Sequence, residues 1–261
     1  MKPIIKYQGG KSRELKTIRA LAPKQFSRII EPFCGGAAVT LDYEVPAVWA
    51  DISAPLKNLY RCVQDPVLYP QLQRLVDNLK LETDHDVLER TFYEARTEIN
   101  APSGDALHYA YSYIVVRQLC FSGMERYNRS GEFNVPFGHY AKFACQLAAR
   151  HHQLLQNIEI RDSWEEALDS TQEGDWIFID PPYLDRLGYS DGDGGPLHQP
   201  LADTLHHSTL PTLIVHSEHD FYFEEYEAWT IQTKDFQYAQ RWGKDKNHAN
   251  AKTQHLYITN Y

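Results

Sequence analysis

Apolar residues in this chain gather in short unbroken runs. They occur at Arg28-Ile-Ile-Glu-Pro-Phe33, Ala47-Val-Trp-Ala-Asp51, residues 158–160, Trp176-Ile-Phe-Ile-Asp180, residues 213–215 and His255-Leu-Tyr-Ile-Thr259. Each run suits a buried strand and is too short for a helix. Between them, residues 12–21 form a basic amphipathic stretch. Residues 67–81, 85–99 and 106–119 repeat apolar side chains at three- and four-residue spacing, the helical period. Short buried strands alternating with helices predict an α/β fold with a largely parallel sheet. Residues 122–145 are polar, aromatic and Gly-containing without clear periodicity. The helical and aperiodic stretch reads as an insertion, giving one domain from residues 1–54 and 146–261 and an inserted lobe from residues 55–145. The run Asp191-Gly-Asp-Gly-Gly-Pro196 reads as a mobile loop.

At 261 residues the chain is long enough for a sizeable core, and 43% hydrophobic with 13% aromatic excludes a disordered or low-complexity chain. No apolar run approaches the roughly 18 residues of a membrane span, and the first residues lack a signal-peptide core, so a soluble, cytoplasmic protein with no membrane partner is expected. Cys34, Cys62, Cys120 and Cys145 show no zinc-ribbon or disulfide spacing. The formal charge of -9 hides an asymmetry: residues 1–30 carry net +7, residues 115–150 net +3 and residues 163–236 net -14. A local basic field is what phosphate binding needs, so the charge permits nucleic acid without demonstrating it.

In Glu31-Pro-Phe-Cys-Gly-Gly-Ala-Ala-Val39 a strand runs directly into small residues. Gly35 and Gly36 allow close backbone approach, and such turns at strand carboxyl ends hold nucleoside cofactors in α/β sheets. Asp51, ending the next strand, is placed to accept from ribose hydroxyls. Taken alone the segment reads first as a tight strand–helix turn. It lacks the third glycine of a dinucleotide fingerprint, and no P-loop is present.

The second constellation is Trp176-Ile-Phe-Ile-Asp180-Pro181-Pro182-Tyr183. Two prolines stiffen the turn and leave carbonyls that no local amide occupies. Asp180 and the Pro181 carbonyl can each accept from the amino group of an adenine while Tyr183 stacks on its face. That nitrogen is a poor nucleophile because its lone pair is delocalised into the ring. Two acceptors would localise the pair and aim it at an electrophilic methyl, an in-line transfer needing position and electrostatics, with no covalent enzyme intermediate and no metal.

With these residues in place the chain resembles the Dam-like, D12 class DNA adenine-N6 methyltransferases, which are site-specific and adenine-specific. Lys6-Tyr-Gln-Gly-Gly-Lys11 is similar to their amino-terminal cofactor motif with Tyr for Trp, residues 31–39 to their Gly-turn motif, and residues 180–183 to their D-P-P-Y motif, in the α-group order. The resemblance implies a Rossmann-like S-adenosylmethionine-dependent sheet with an inserted, mainly helical DNA-recognition lobe. It further implies S-adenosylmethionine as donor, contacted by Tyr7, Lys11, Phe33, Gly35, Asp51, Asp162 and Asp180.

The lobe contains Cys120-Phe-Ser-Gly-Met-Glu-Arg-Tyr-Asn-Arg-Ser-Gly-Glu-Phe-Asn-Val-Pro-Phe-Gly138. By composition this is an ordinary surface loop, or a reader of bases: Arg suits guanine, Asn suits adenine, and aromatic rings replace a lost stacking partner. It also resembles the family's recognition signature. Carried over by position, Phe121 is the wedge, Arg126 reads a guanine, and Met124 and Pro136 make apolar base contacts. Lys6 and Tyr140 add contacts found in the GATC-reading subgroup, and Ser122, Asn128 and His139 complete the surface. Ser122 stands for the usual Asn, and His139 for an Arg frequent in that subgroup. Duplex DNA containing GATC is therefore the expected substrate, in a bacterial cell or phage-infected host, for a restriction-pair, phage or regulatory role. A monomer is expected, with a dimer on DNA as the alternative.

His216-Ser-Glu-His219 follows a strand and lacks the helical order of a metal site, so a structural role is expected. Cys34 is expected to pack as a small apolar residue. Residues 241–252 form a basic loop that is either solvated or near a DNA backbone. Two rival readings remain open: an RNA or protein amide methyltransferase on the same framework, and a catalytically silent DNA-binding relative.

Overall fold

The computed structural model describes residues 1–184, 195–236 and 253–261. Its strands are β1 (Arg28–Glu31), β2 (Ala47–Ala50), β3 (Ile158–Arg161), β4 (Asp175–Ile179), β5 (Thr212–Ser217), β6 (Thr230–Phe236) and β7 (Thr253–Thr259). They form one sheet in the order β3-β2-β1-β4-β5-β7-β6. The first five are parallel, and β7 enters antiparallel between β5 and β6. Strand order reverses between β1 and β4, the position where open α/β sheets hold ligands at their carboxyl ends. Glu31 and Asp180 leave these neighbouring strands on that same edge.

Successive residues of each strand face opposite layers. Ile29, Trp49, Trp176, Phe178, Val215 and Tyr257 belong to one buried cluster, whereas Ile30, Val48, Ile177, Ile179, Ile214 and Ile258 belong to another. The first cluster is covered by α1 (Leu15–Leu21), α2 (Ala38–Tyr43), α3 (Ala54–Gln64), α4 (Leu68–Lys80), α5 (His85–Asn100), α6 (Ala106–Leu119) and α7 (Ala149–Leu155). The second packs on α8 (Trp164–Asp169), α9 (Gly195–His206) and α10 (Asp220–Glu225). The inserted helices therefore share one continuous core with the sheet. α5 begins where the Asp84 side chain accepts from the Asp86 and Val87 amides, and α6 where Asp105 accepts from His108. No helix among the described residues is long and apolar enough to cross a membrane. All four cysteines are buried and free.

Two elements differ from the sequence expectation. β6 was not anticipated, because an edge strand carrying Lys234 and Asp235 is mostly exposed and has no apolar run. Part of residues 122–145, which shows no helical period, is a hairpin. The Asn128 amide donates to Glu132 O (2.9 Å), Asn134 to Arg126 O (3.1 Å) and Phe121 to Pro136 O (2.9 Å). Phe133, Val135 and Phe137 are buried while the intervening Pro136 is exposed. Of the 191–196 run, residues 195–196 open α9 and the rest lies outside the described residues, as does the basic 241–252 segment.

Candidate functional site

The turn after β1 is built on a close approach. Gly35 has φ +47°, and a Cβ there would lie 2.7 Å from Cε1 of Tyr7, so only glycine fits between ring and backbone. The Gly35 amide donates to Asp51 Oδ2 (3.0 Å), the Ser53 amide to Asp51 Oδ1 (2.9 Å), and the Tyr60 hydroxyl to Gly35 O (2.6 Å). Burial pushes the Asp51 carboxyl up to about 6 despite the two amides. Beside it Ile52 is 77% exposed, an apolar ledge with no packing role. Phe33 is half-buried against the second cluster. Glu31 is buried and accepts from the Thr40 amide and hydroxyl; burial raises it to about 7, with the charge of Asp180 adding to the rise. Burial raises the Cys34 thiol, consistent with a packing role.

At the end of β4, Lys11 Nζ lies 2.6 Å from Asp180 Oδ1 and 5.1 Å from the Tyr183 ring centroid. Lys11 also donates to Gly9 O (3.0 Å). Burial raises the Asp180 pKa, and Lys11 opposes that rise. Tyr183 packs 4.5 Å from the His216 ring and 5.6 Å from that of His255. His216 Nε2 accepts from the Leu184 amide (3.2 Å) while Nδ1 contacts Ser217 O (2.7 Å), an arrangement that requires a neutral ring. Burial holds its pKa down to about 3, so it is neutral. His219 caps α10 by accepting from the Phe221 amide (3.1 Å). The His216-Ser-Glu-His219 run thus supports the D-P-P-Y turn and a helix start. Behind Lys11, Glu14 accepts from the Tyr257 hydroxyl (2.6 Å) and pairs with His255 Nδ1 (2.8 Å).

Tyr7, Lys11, Gly35, Asp51, Asp180 and Tyr183 therefore meet at the carboxyl edge around β1 and β4. Asp162 is 63% exposed after β3, where Lys57 Nζ (3.1 Å) and Arg61 Nη2 (3.0 Å) bond it and hold its pKa down. Lys57 connects it electrostatically to Asp51.

The hairpin carries the second set. Phe121 is 51% exposed on a 3-10 turn (Phe121–Gly123) in which Ser122 has φ +55°. Arg126 is exposed and donates from Nε to Asn134 Oδ1 (2.7 Å) and from Nη2 to Asn134 O (3.2 Å). Asn128 builds the hairpin tip: its Oδ1 accepts from the Ser130 and Glu132 amides (2.9 Å each). Pro136 and His139 are exposed, and Met124 is half-buried on the core. At the root, Lys6 Nζ donates to Gln118 O (2.8 Å) and sits 4.0 Å from the Tyr140 ring centroid; burial lowers its pKa. A Cβ on Gly138 would lie 2.5 Å from Cε2 of Tyr140, so glycine admits that ring.

Arg117, which the sequence showed only as one more positive charge, is the connector. It is fully buried, donates from Nε and Nη2 to Lys6 O (3.1 and 2.9 Å), and places Nη1 3.1 Å from Glu125 Oε2. The Glu125 amide donates to Gln8 Oε1 (3.1 Å), and the Tyr127 hydroxyl to Glu125 Oε1 (3.0 Å). Residues 6–8 are thereby tied to α6 and to the hairpin. An arginine amid apolar residues on a helix that is buried almost all round was the available signal. Among the described residues, one group could hold a cation: His85 and Glu89 on α5 with His139.

Residues 7–222 match the family described as D12 class N6 adenine-specific DNA methyltransferase. The chain is 31% identical over its whole length to the whole of "Type II methyltransferase M.CviBI" from Paramecium bursaria Chlorella virus NC1A. It is 31% identical over 70% of its length to 69% of "Type II methyltransferase M.MjaIII" from Methanocaldococcus jannaschii. It is 30% identical over 69% of its length to 64% of the "DNA adenine methylase" of Escherichia coli K12.

Proposed function

The chain belongs to the D12 class of N6 adenine-specific DNA methyltransferases, and we propose that it methylates an adenine flipped out of duplex DNA, within GATC, with S-adenosylmethionine as donor. The observation that carries this reading is the Asp180–Lys11 pair beneath Tyr183, beside the Gly35–Asp51 cradle.

The cradle fits the donor. Gly35 admits the Tyr7 ring against the turn, Asp51 presents a carboxylate to ribose hydroxyls, and Ile52 offers an apolar face to a base. Tyr7, Phe33, Gly35, Asp51 and Asp162 would hold it, with Lys11 and Asp180 at the reacting end. When bound, S-adenosylmethionine supplies a methyl group activated by a sulfonium. Asp180 and the Pro181 carbonyl accept from the adenine amino group, which localises its lone pair. Tyr183 stacks on the base. Lys11, 2.6 Å away, opposes the rise that burial gives Asp180, favouring a carboxylate as counter-charge while the amine becomes cationic.

Residues 55–145 act as the recognition lobe and residues 1–54 and 146–261 as the catalytic domain. Phe121 takes the place of the flipped base, supported by its exposure on a tight turn. Arg126, oriented by Asn134, reads guanine. Met124, Pro136, Lys6, Tyr140, Ser122, Asn128 and His139 complete the surface. GATC follows from the resemblance of residues 120–138 to the family signature. Likeness to type II methyltransferases supports a role beside a restriction endonuclease.

The test is incubation with S-adenosylmethionine and unmethylated genomic DNA, followed by single-molecule mapping of N6-methyladenine. Methylation confined to GATC, and lost in Asp180→Ala while DNA binding persists, is the expected result. Methyladenine in another context overturns the recognition reading, and turnover by Asp180→Ala overturns the role of Asp180.

A further inference from the structure

The foot of the hairpin carries a side-chain cluster of which the proposed function uses only His139, at the DNA surface. His85 and Glu89 lie one turn apart on α5, so both project from one face. His139 reaches the same place from a separate segment, just where the chain leaves the hairpin. One ligand atom from each of the three falls within 4.8 Å of the others. The His85 and His139 ring centroids are 5.5 Å apart with planes only 5° from parallel. Two imidazoles on one zinc-type ion, with metal–nitrogen bonds of about 2.0–2.1 Å, need their nitrogens about 3.4 Å apart. From at most 4.8 Å, coordination takes up to about 1.4 Å of closure together with rotation of the two stacked imidazoles, so that their in-plane lone pairs converge; both histidines are exposed and Glu89 is half-exposed.

We propose that His85, Glu89 and His139 bind a divalent transition-metal ion of the zinc class, and that the ion pins the hairpin foot to α5. The donor set decides the ion. Two imidazoles and one carboxylate suit zinc, nickel or copper, whereas magnesium and calcium take oxygen ligands. Three protein ligands leave a position for water. The carboxylate of Asp86, 3.9 Å from His85 Nδ1, adds negative charge beside the site.

The backbone already prepares the third ligand. His139 has φ +52°, a left-handed conformation that side-chain-bearing residues seldom adopt. In it the imidazole packs against His85 and 5.3 Å from Phe137. Phe137 in turn lies 5.6 Å from Phe92 of α5, and the Gly138 amide donates to Leu119 O (2.7 Å). An ion on His139 fixes the junction between the hairpin's second strand and Tyr140, which carries Lys6 on its ring. It also withdraws the His139 imidazole from DNA, a consequence that rests on the recognition role proposed above; metal binding does not depend on it.

Metal-free protein without DNA is titrated with zinc chloride by calorimetry, and with cobalt(II) followed by visible absorption. Variants are Glu89→Gln, which keeps shape and removes charge, and His139→Asn, which tolerates the left-handed backbone. One equivalent of zinc is expected, with at least tenfold weaker binding in each variant, loss of the cobalt spectrum, and slower amide hydrogen exchange over residues 133–140 on zinc addition to wild type. Absence of saturable binding, or undiminished binding in both variants, overturns the site. Zinc binding without slower exchange overturns the pinning. Either result leaves the methyl-transfer reading to its own assay.

Discussion

Replacing Asp51 by Asn separates what the cofactor cradle contributes from what it costs. The Asp51 carboxyl sits at about 6 because burial disfavours its charge, while the Gly35 and Ser53 amides favour it. In the role proposed for Asp51, ribose hydroxyls donate to the ionised form, so affinity for S-adenosylmethionine tracks the ionised fraction. That fraction falls from about nine-tenths at pH 7 to about one-tenth at pH 5, a loss of roughly tenfold in affinity. Binding near pH 6 should release a fraction of a proton, visible as a dependence of calorimetric enthalpy on the buffer's ionisation heat. In Asp51→Asn a charge-assisted hydrogen bond of about 1.5–3 kcal/mol is lost, so binding weakens by roughly 10–100-fold and becomes flat between pH 5 and 8. Stability moves oppositely. A folded-state pKa raised from 3.8 to about 6 means that ionising Asp51 costs the folded protein up to about 3 kcal/mol, incurred as pH rises from about 4 through 6. The carboxylate is only partly enclosed, so solvent screening reduces that figure. The stability of Asp51→Asn relative to wild type should therefore improve between pH 5 and 7.5 in denaturant titrations. Wild-type affinity that is flat across pH 5–8, or an Asn variant that binds the cofactor as wild type does, would refute the reasoning.

Three further outcomes are expected. In Lys11→Gln the opposing charge is gone and Asp180 rises further, so at saturating cofactor the acid limb of the kcat–pH profile moves to higher pH; an unmoved limb excludes the ion pair's role. Arg117→Met strands Glu125 and the Lys6 carbonyl, costing about 3–5 kcal/mol in denaturant unfolding; a loss below about 1 kcal/mol contradicts the connector assignment. Arg126→Ala loses about 1–3 kcal/mol of guanine discrimination, read as the ratio of kcat/KM on cognate and guanine-substituted duplexes.

The sheet was legible because its strands are apolar on both faces. The runs at 28–33, 47–51 and 176–180 fall on β1, β2 and β4, and the spacing over 106–119 coincides with α6. Strand β6 was not, since an exposed edge such as Thr230–Phe236 has no buried pattern to read. The hairpin escaped for a subtler reason. Alternation of Phe133, Val135 and Phe137 is present, but it is short and flanked by residues chosen for turns. The resemblance of three motifs to those of the family implied that Tyr7, Lys11, Gly35, Asp51 and Asp180 share one site. What it could not supply were the partners: Glu31 on Thr40, His216 on the Leu184 amide, and Arg117 between Lys6 and Glu125. The Leu184–His216 and Lys6–Arg117 contacts join residues far apart in sequence, and Glu31–Thr40 and Arg117–Glu125 bridge separate elements, so no helical or strand period encodes them.

The buried guanidinium of Arg117 joins the segment bearing Lys6 and Tyr7 to the hairpin bearing Met124 and Glu125. With the recognition role proposed for the hairpin, target choice is for that reason not an exchangeable cassette. Grafting the hairpin of a relative with another sequence preference would leave a foreign acid or carbonyl opposite Arg117 and tilt Tyr7 against Gly35. The transplant unit has to include residues 4–8 and α6 along with the hairpin.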